Sequence, residues 1–417
     1  MTVADCFDHD PGLVPVAEAQ RRLRERVTIA VGRERVAVGQ AHGRILAEAL
    51  VADRDIPAFD NVAVDGWALR WQPPMAERPF RLPVARGRSA AGAPHMETVP
   101  EGQALRVLTG AVLPAGTDTV VLQEECRVED GELVLPILRR GGGNRRPRGE
   151  DMATGDTVLR SGRILRAPDL GAAALLGLAD VCVFERLSVA VLSTGNEVTE
   201  PGMPLPQGGL YDANRPILMG ALASLPVKVT DLGRLDDNPR HIADVLGQAA
   251  SDHHLILTSG GASQGDEDHL AQTIERMGRL RFWRIAIKPG RPLAFGEIGT
   301  SRIMGLPGNP VAATLCFAYL ARPLLLAMAG AGWHAPRGLL LPFARAMRKR
   351  PGRTELVRVR LVDGPDGPLM ENIGKQGSGV LTSLTEADGV AELGDDVTDI
   401  QPGDRLPFLS LAELGLA

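Results

Sequence analysis

The spacing of apolar residues changes several times along this chain, and each change predicts a different element. In VAEAQRRLRERV, 16–27, one apolar stripe faces a row of arginines, predicting an amphipathic helix within a helical stretch over 16–50. From 55 to 140 the runs are short and alternating. RPFRLPVAR, ALRVLTGA, DTVVLQEECRVED and GELVLPI are separated by Gly, Pro and Asp turns, as in a small β-rich unit. GGGNRRPRGED at 141–151 reads as a linker by composition. Residues 153–182 alternate again and then turn helical in APDLGAAALLGL. From 187 to 330 apolar strands alternate with helices, as in βαβ units. After GAGWHAPRG, 330–338, period two returns in ELVRVRLV, GVLTSL, GVAELG and DRLPFL, predicting a compact all-β unit.

Three segments of the α/β stretch share one layout: an apolar strand, a glycine-rich loop, then a helix start. They are SVAVLSTGNEVTEPG (188–202), LILTSGGASQGDEDHL (255–270) and IMGLPGNPVAATL (303–315). In an open parallel sheet such loops gather at the carboxyl edge, where ligands bind. N–H groups at helix starts favour anions. Glu197, Asp266, Glu267 and Asp268 lie in two of these loops. Carboxylates beside an anion site suit a divalent cation between them, so the pattern predicts a magnesium-assisted site for a phosphorylated small molecule.

Composition narrows the class. The 417 residues suit two to four domains, at about 100–200 residues each. With 44% hydrophobic and 23% charged residues the chain can bury large cores. A net charge of −5 and 4% aromatics argue against nucleic-acid binding and base-stacking surfaces. Cys6, Cys126, Cys182 and Cys316 form no CxxC pair, which fits a reducing cytoplasm better than a zinc ribbon or a disulfide framework. MTVADCFDHDPG lacks a signal-peptide pattern. Val311–Met328 is apolar but carries Arg322 and Pro323, so it reads as a buried helix and not a membrane span.

Individual segments have a chemical reading and a plainer one. In GNPV, 308–311, Asn309 can cap a helix with Pro310 in its first turn, which alone means only a well-started helix. GASQG at 261–265 matches a nucleophile elbow at Ser263, but only His269 and His334 follow and neither suits that order. A loop whose N–H groups face a phosphate fits better. In FWRIAIKPGRP, Arg284, Lys288 and Arg291 form a cation cluster suited to a tetrahedral oxyanion or pyrophosphate; the plainer reading is a solvated charge run. DNVAVDGWALR offers Asp65 as a substrate-facing acid or as part of a loop. Thr109 and Gly110 can present a hydroxyl and N–H groups. No GxxxxGK[ST], GxGxxG or HExxH occurs.

Taken together, the segments resemble the molybdopterin molybdenumtransferase family, called MoeA in bacteria and represented in animals by the gephyrin E domain. The matching runs are DNVAVDGWALR, LTGAVLPAGTDTVVLQEE, RGEDM, STGNEV, YDANR, TSGGASQGDED, IKPGRPLAFG and GLPGNP, in order and over nearly the whole chain. The resemblance implies a multidomain α/β plus β molecule. A mixed extended domain would combine 7–50 with 149–182, a β-rich domain would span 51–148, a central MogA-like α/β domain with a parallel-rich sheet 183–331, and a C-terminal β-barrel 332–417. It also implies a cytoplasmic homodimer that inserts molybdate into adenylylated molybdopterin with Mg²⁺, releasing molybdenum cofactor and AMP. Transient contacts with the adenylyltransferase and with cofactor carriers are implied; nucleic acid and membrane are not.

By the same resemblance Asp65, Thr109, Asp151, Glu197, Asp237 and Asp268 match positions implicated in activity, some reaching the site from the partner subunit. Glu197 and Asp268 match the metal positions. Ser259, Gly260, Gly261, Ser263, Arg284, Lys288, Arg291, Pro307, Gly308, Asn309, Arg358 and Ser378 match positions that hold molybdate or the pterin phosphate. Trp67, His269, Gln264 and Ala312 depart from common family residues; Ala312 removes a serine hydroxyl that follows GNPV in many members. A scaffolding protein without catalysis, a tungstate-inserting paralogue and a nucleotide-phosphate hydrolase are the alternative functions.

Overall fold

The computed structural model describes residues 13–260 and 269–417. Strands used below are β1 (Leu187–Thr194), β2 (Val227–Leu235), β3 (Leu255–Ser259), β4 (Arg279–Arg284), β5 (Ile287–Lys288), β6 (Pro292–Ile298), β7 (Ser301–Leu306) and β8 (Thr354–Gly364). A central six-stranded sheet runs β2-β1-β3-β7-β6-β4. β1, β2, β3 and β7 pair in parallel, while β6 and β4 add an antiparallel edge.

β1 is apolar on both faces because both are covered. Leu187, Val189 and Val191 share a core with Leu218 and Leu222 of helix α1 (Asn214–Ala223). Ala190 and Leu192 pack with Ile242 and Leu246 of α2 (Pro239–Asp252). Each such buried Val or Leu contributes roughly 1.5–3 kcal/mol. β1 has β2 on one side and β3 on the other, so the strand order reverses there. A crevice therefore opens beyond Thr194 and Ser259, the carboxyl ends of β1 and β3.

After β7 the helical stretch comprises α3 (Pro310–Cys316), a π-helical segment Phe317–Ala321 and the helix Arg322–Met328. It is long and apolar enough to cross a membrane, but 94% of its apolar window is buried inside the protein.

Elsewhere Arg33–Ala37 pairs with Asp180–Phe184, and Leu50–Val51 with Thr157–Leu159, so two distant stretches share one small core. Between them lies a second six-stranded sheet that includes Gly66–Leu69 and Ala104–Val107. A third sheet joins β5, β8, Gly389–Leu393, Arg405–Ser410 and Leu339–Pro342, with Gly367–Asn372 alongside β8. An isolated bridge links Phe343, just after Leu339–Pro342, to Met370 of Gly367–Asn372.

Three elements differ from the sequence expectation. The helix in 16–50 ends at Arg26, and Val27 is already extended, as suits the β-branched run that follows. The glycine-rich 141–151 is more than a linker, since Arg145–Arg146 pairs with Asn61–Val62. In GVLTSL the chain turns into a short helix, Thr382–Thr385, where a strand was expected.

Candidate active site

A cavity of about 920 Å³ lies at the carboxyl edge of the central sheet. Ser193 and Thr194 reach it from the end of β1, Ser259 and Gly260 from β3, and residues 307–309 from the turn after β7. Gly260 has φ +88°, and a Cβ there would stand 2.3 Å from the Thr194 carbonyl oxygen. Only glycine lets these two strand ends approach so closely. Gly290, at φ +121°, fits against Cys316 of α3 in the same way, with 2.3 Å from a built Cβ to Sγ.

The walls are basic. Arg284 ends β4, Lys288 lies on β5, and Arg291 follows the Pro289–Gly290 turn; all three line the cavity. Arg353 joins them from the residue before β8. The fourth cation has a signal in the sequence: RPGRT around Arg353 repeats the Pro-Gly-Arg of KPGRP. Ser378, with Gln376, Gly377 and Gly379, completes this side, and Val311 N donates to Ser378 O at 3.1 Å.

The floor holds polar atoms without protein partners. Asn214 donates from Nδ2 to Ser259 Oγ at 2.6 Å and to Gly308 O at 2.7 Å. Its Oδ1, with Ser193 Oγ and Thr194 Oγ1, is buried and has no hydrogen-bond partner among the described residues. Buried polar atoms are nearly always paired, so these three point to a ligand or ordered water. Leu210 and Tyr211 form an exposed rim on the same cavity.

This chain matches three consecutive family models. Residues 14–177 match the MoeA N-terminal region (domain I and II), 190–327 the probable molybdopterin binding domain, and 341–411 the MoeA C-terminal region (domain IV). The molybdopterin molybdenumtransferase of Haemophilus influenzae is 34% identical over 397 residues, covering 94% of this chain and 98% of that protein.

The chain belongs to the MoeA family. The molybdopterin molybdenumtransferase of Synechococcus elongatus is 34% identical over 88% of this chain and 91% of its own length. The crystal structure of the molybdopterin biosynthesis MoeA protein from Pyrococcus horikoshii OT3 superposes with a TM-score of 0.84 at 28% identity, covering 95% of this chain and all of that one.

In this MoeA-family fold the residues expected from the sequence fall into three groups. Glu197, Ser259, Gly260, Arg284, Lys288, Arg291, Pro307, Gly308, Asn309 and Ser378 line the cavity together. Gly261, Ser263 and Asp268 lie outside the described residues, as do Gln264, Asp266 and Glu267. Asp65, Thr109, Asp151, Asp237 and Arg358 are not among the lining residues.

Arg358 lies buried outside the cavity lining. It is 1% exposed, and its guanidinium donates to Ser383 Oγ at 3.2 Å and to Gly377 O at 3.1 Å. It braces the 376–379 wall from behind instead of facing the cavity, and burial pushes its pKa down to about 10. Asp237 likewise acts from behind: Asn196 N donates to its Oδ2 at 2.8 Å, and Asp237 N donates to Asn196 Oδ1 at 3.2 Å, which pins the turn carrying Glu197. The Thr109 N–H and hydroxyl both donate to Asp65 Oδ1 at 2.7 Å, and Gly110 N donates to Val62 O, so these donors are already engaged. Asn309 occupies the N-cap of α3 but its side chain makes no capping hydrogen bond. The turn after β1 leads to no immediate helix; α1 starts only at Asn214.

Proposed function

We propose that this chain inserts molybdenum from molybdate into adenylylated molybdopterin, yielding molybdenum cofactor and AMP. One observation carries the reading. At the reversal of the strand order, four cations from two sheets face a cavity whose floor holds unpartnered buried polar atoms. Molybdate is a tetrahedral dianion and the substrate carries a diphosphate, so both need fixed cations. Guanidinium groups suit phosphate oxygens in pairs, and a lysine supplies a point charge. The floor donors and acceptors suit the polar edge of a flat heterocycle, and 920 Å³ accommodates a nucleotide-sized ligand.

Magnesium fits the residues present. Glu197 is an exposed carboxylate lining the same cavity as the cations. Among the described residues no three carboxylate, His or Cys groups cluster. Magnesium sites of this kind use one or two carboxylates and complete their shell with substrate phosphates and water. Glu197, with Asp268, would hold the ion, which would neutralise charge on the phosphoanhydride. Asp237 keeps the Glu197 turn in place.

The domain division at 7–50 with 149–182, 51–148, 183–331 and 332–417 belongs to this reading, with the last part as a barrel closed by the Phe343–Met370 bridge. So does a cytoplasmic homodimer. Asp65, Thr109 and Asp151 do not line the cavity of their own chain, and in this reading they act at the partner subunit's site.

The test is direct. The purified protein, incubated with adenylylated molybdopterin, magnesium and either molybdate or tungstate, should release AMP in step with metal bound to the pterin product. AMP released without oxyanion and without metallated product would replace this reading with a hydrolase. No AMP release from a folded protein that still binds the substrate would leave a scaffold.

A further inference from the structure

We infer that Glu355 is a positioning residue that fixes Lys288 and Arg353 as a two-point clamp for the tetrahedral oxyanion, and that Arg353 is a contact residue of that clamp. β5 and β8 pair in parallel, with Lys288 opposite Glu355, so this rung joins the α/β unit to the C-terminal sheet. Each oxygen of Glu355 takes one cation. Oε2 lies 3.3 Å from Lys288 Nζ and Oε1 lies 3.4 Å from Arg353 Nε. The glutamate side chain is 5% exposed, whereas Lys288 is 49% and Arg353 23% exposed. Lys288 and Arg353 line the cavity; Glu355 does not.

The carboxylate therefore sits beneath the cavity wall and reaches the ligand only through its two partners. A long lysine left alone samples many rotamers, and holding it costs side-chain entropy at each binding event. A buried acceptor meets that cost on folding and orients the ammonium toward the cavity. The Arg353 loop is anchored as well. Lys349, 8% exposed, donates from Nζ to Arg353 O at 2.8 Å and to Arg350 O at 3.2 Å. Thr354 Oγ1 donates to Asp395 Oδ1 at 2.6 Å. Arg353 lines the cavity, and a planar guanidinium fork is suited to an oxyanion edge.

This inference rests on reading the cavity as an oxyanion site, and the experiment separates the two. AMP release is measured against molybdate concentration for the wild type, Lys288→Ala, Arg353→Ala, Glu355→Gln, Glu355→Asp and the double variant Lys288→Ala/Glu355→Gln. Glu355→Gln should raise half-saturating molybdate about tenfold, the scale of a lost charge-assisted hydrogen bond. The rate at saturating molybdate and the affinity for adenylylated molybdopterin should change less than about twofold, since neither depends on the clamp. Glu355→Asp should recover part of the loss. Glu355→Gln should add little to Lys288→Ala, because its effect passes through that lysine. Normal molybdate dependence in Glu355→Gln, with Lys288→Ala impaired, would overturn the positioning role and leave the oxyanion site standing. Normal dependence in both would overturn the oxyanion reading itself. If Glu355→Gln does not fold, Arg353→Ala decides: a raised molybdate requirement supports the clamp, and an unchanged one removes it.

Discussion

Asn214 stands between two loops of the cavity, giving one amide hydrogen to Ser259 Oγ at 2.6 Å and the other to Gly308 O at 2.7 Å. One side chain thus ties the end of β3 to the turn after β7, and its free Oδ1 remains for the ligand. Asn214→Ala should lower stability by about 1–3 kcal/mol, the usual range for stranding buried hydrogen-bond partners. It should also weaken binding of adenylylated molybdopterin. Thermal unfolding and pterin titration check both; unchanged pterin affinity in a destabilised variant would make Asn214 purely a tie.

The pair Asp65 and Thr109 gives a pH prediction. The Thr109 backbone N–H and then its hydroxyl hold the Asp65 carboxyl below the usual carboxylate range. The depressed value keeps Asp65 ionised to lower pH than a free aspartate. Thr109→Val deletes one of the two donors and should move the Asp65 titration upward, with the acid limb of activity moving the same way. Carboxyl-carbon NMR of labelled aspartate reads the midpoint. A midpoint that stays in place would show that the hydroxyl contributes nothing.

How far the site is legible in the sequence depends on what each signal measures. Lys288 and Arg291 are visible because a Pro-Gly turn after an apolar strand fixes where the chain bends. Arg353 carries the same Pro-Gly-Arg pattern but lies in a β texture, away from the βαβ run, and only the β5–β8 pairing brings it to the cavity. Arg358 shows the opposite case. Its position in an alternating strand marks a face, but whether that face meets solvent, ligand or core is set by the packing of β8 against its neighbours. Asn214 carries no local signal for its role, because its partners are 45 and 94 residues away. The βαβ texture of 187–330 is readable because strands buried on both faces are continuously apolar, whereas helix 16–26 and strand 33–37 share a polar, arginine-rich composition.

Asp169 supplies a stability prediction away from the site. Arg163, at 2.7 Å, and the Arg166 N–H hold its carboxyl at about 2, below the ordinary 3.8. A depressed folded value stabilises the fold above the unfolded pKa, and the contribution is lost as pH falls through the folded one. At 1.36 kcal/mol per unit the gap corresponds to about 2 kcal/mol, and the 5% exposed side chain leaves little screening by solvent. Asp169→Asn should cost about that much at neutral pH and progressively less between about pH 4 and pH 2. Urea unfolding across that window checks it; a penalty independent of pH would assign the effect to packing.

The last prediction follows from Asp65 and Lys288 lying apart within one chain, only the latter on the cavity. In the proposed two-fold dimer, a contact from one subunit to the other is matched by its mirror, so each site would draw Lys288 from one subunit and Asp65 from the other. Assayed at low molybdate, below the half-saturating concentration that Lys288→Ala raises, Asp65→Ala and Lys288→Ala should each retain little activity alone. In a mixed dimer the wild-type Lys288 of the first chain meets the wild-type Asp65 of the second, restoring one site, while the other site carries both substitutions. Random exchange of equal amounts makes about half the dimers mixed, so activity should recover to roughly a quarter of wild type. Native mass spectrometry confirms the exchange independently of activity. Confirmed mixed dimers without recovery would place Asp65 with the Lys288 of its own chain, or outside the site.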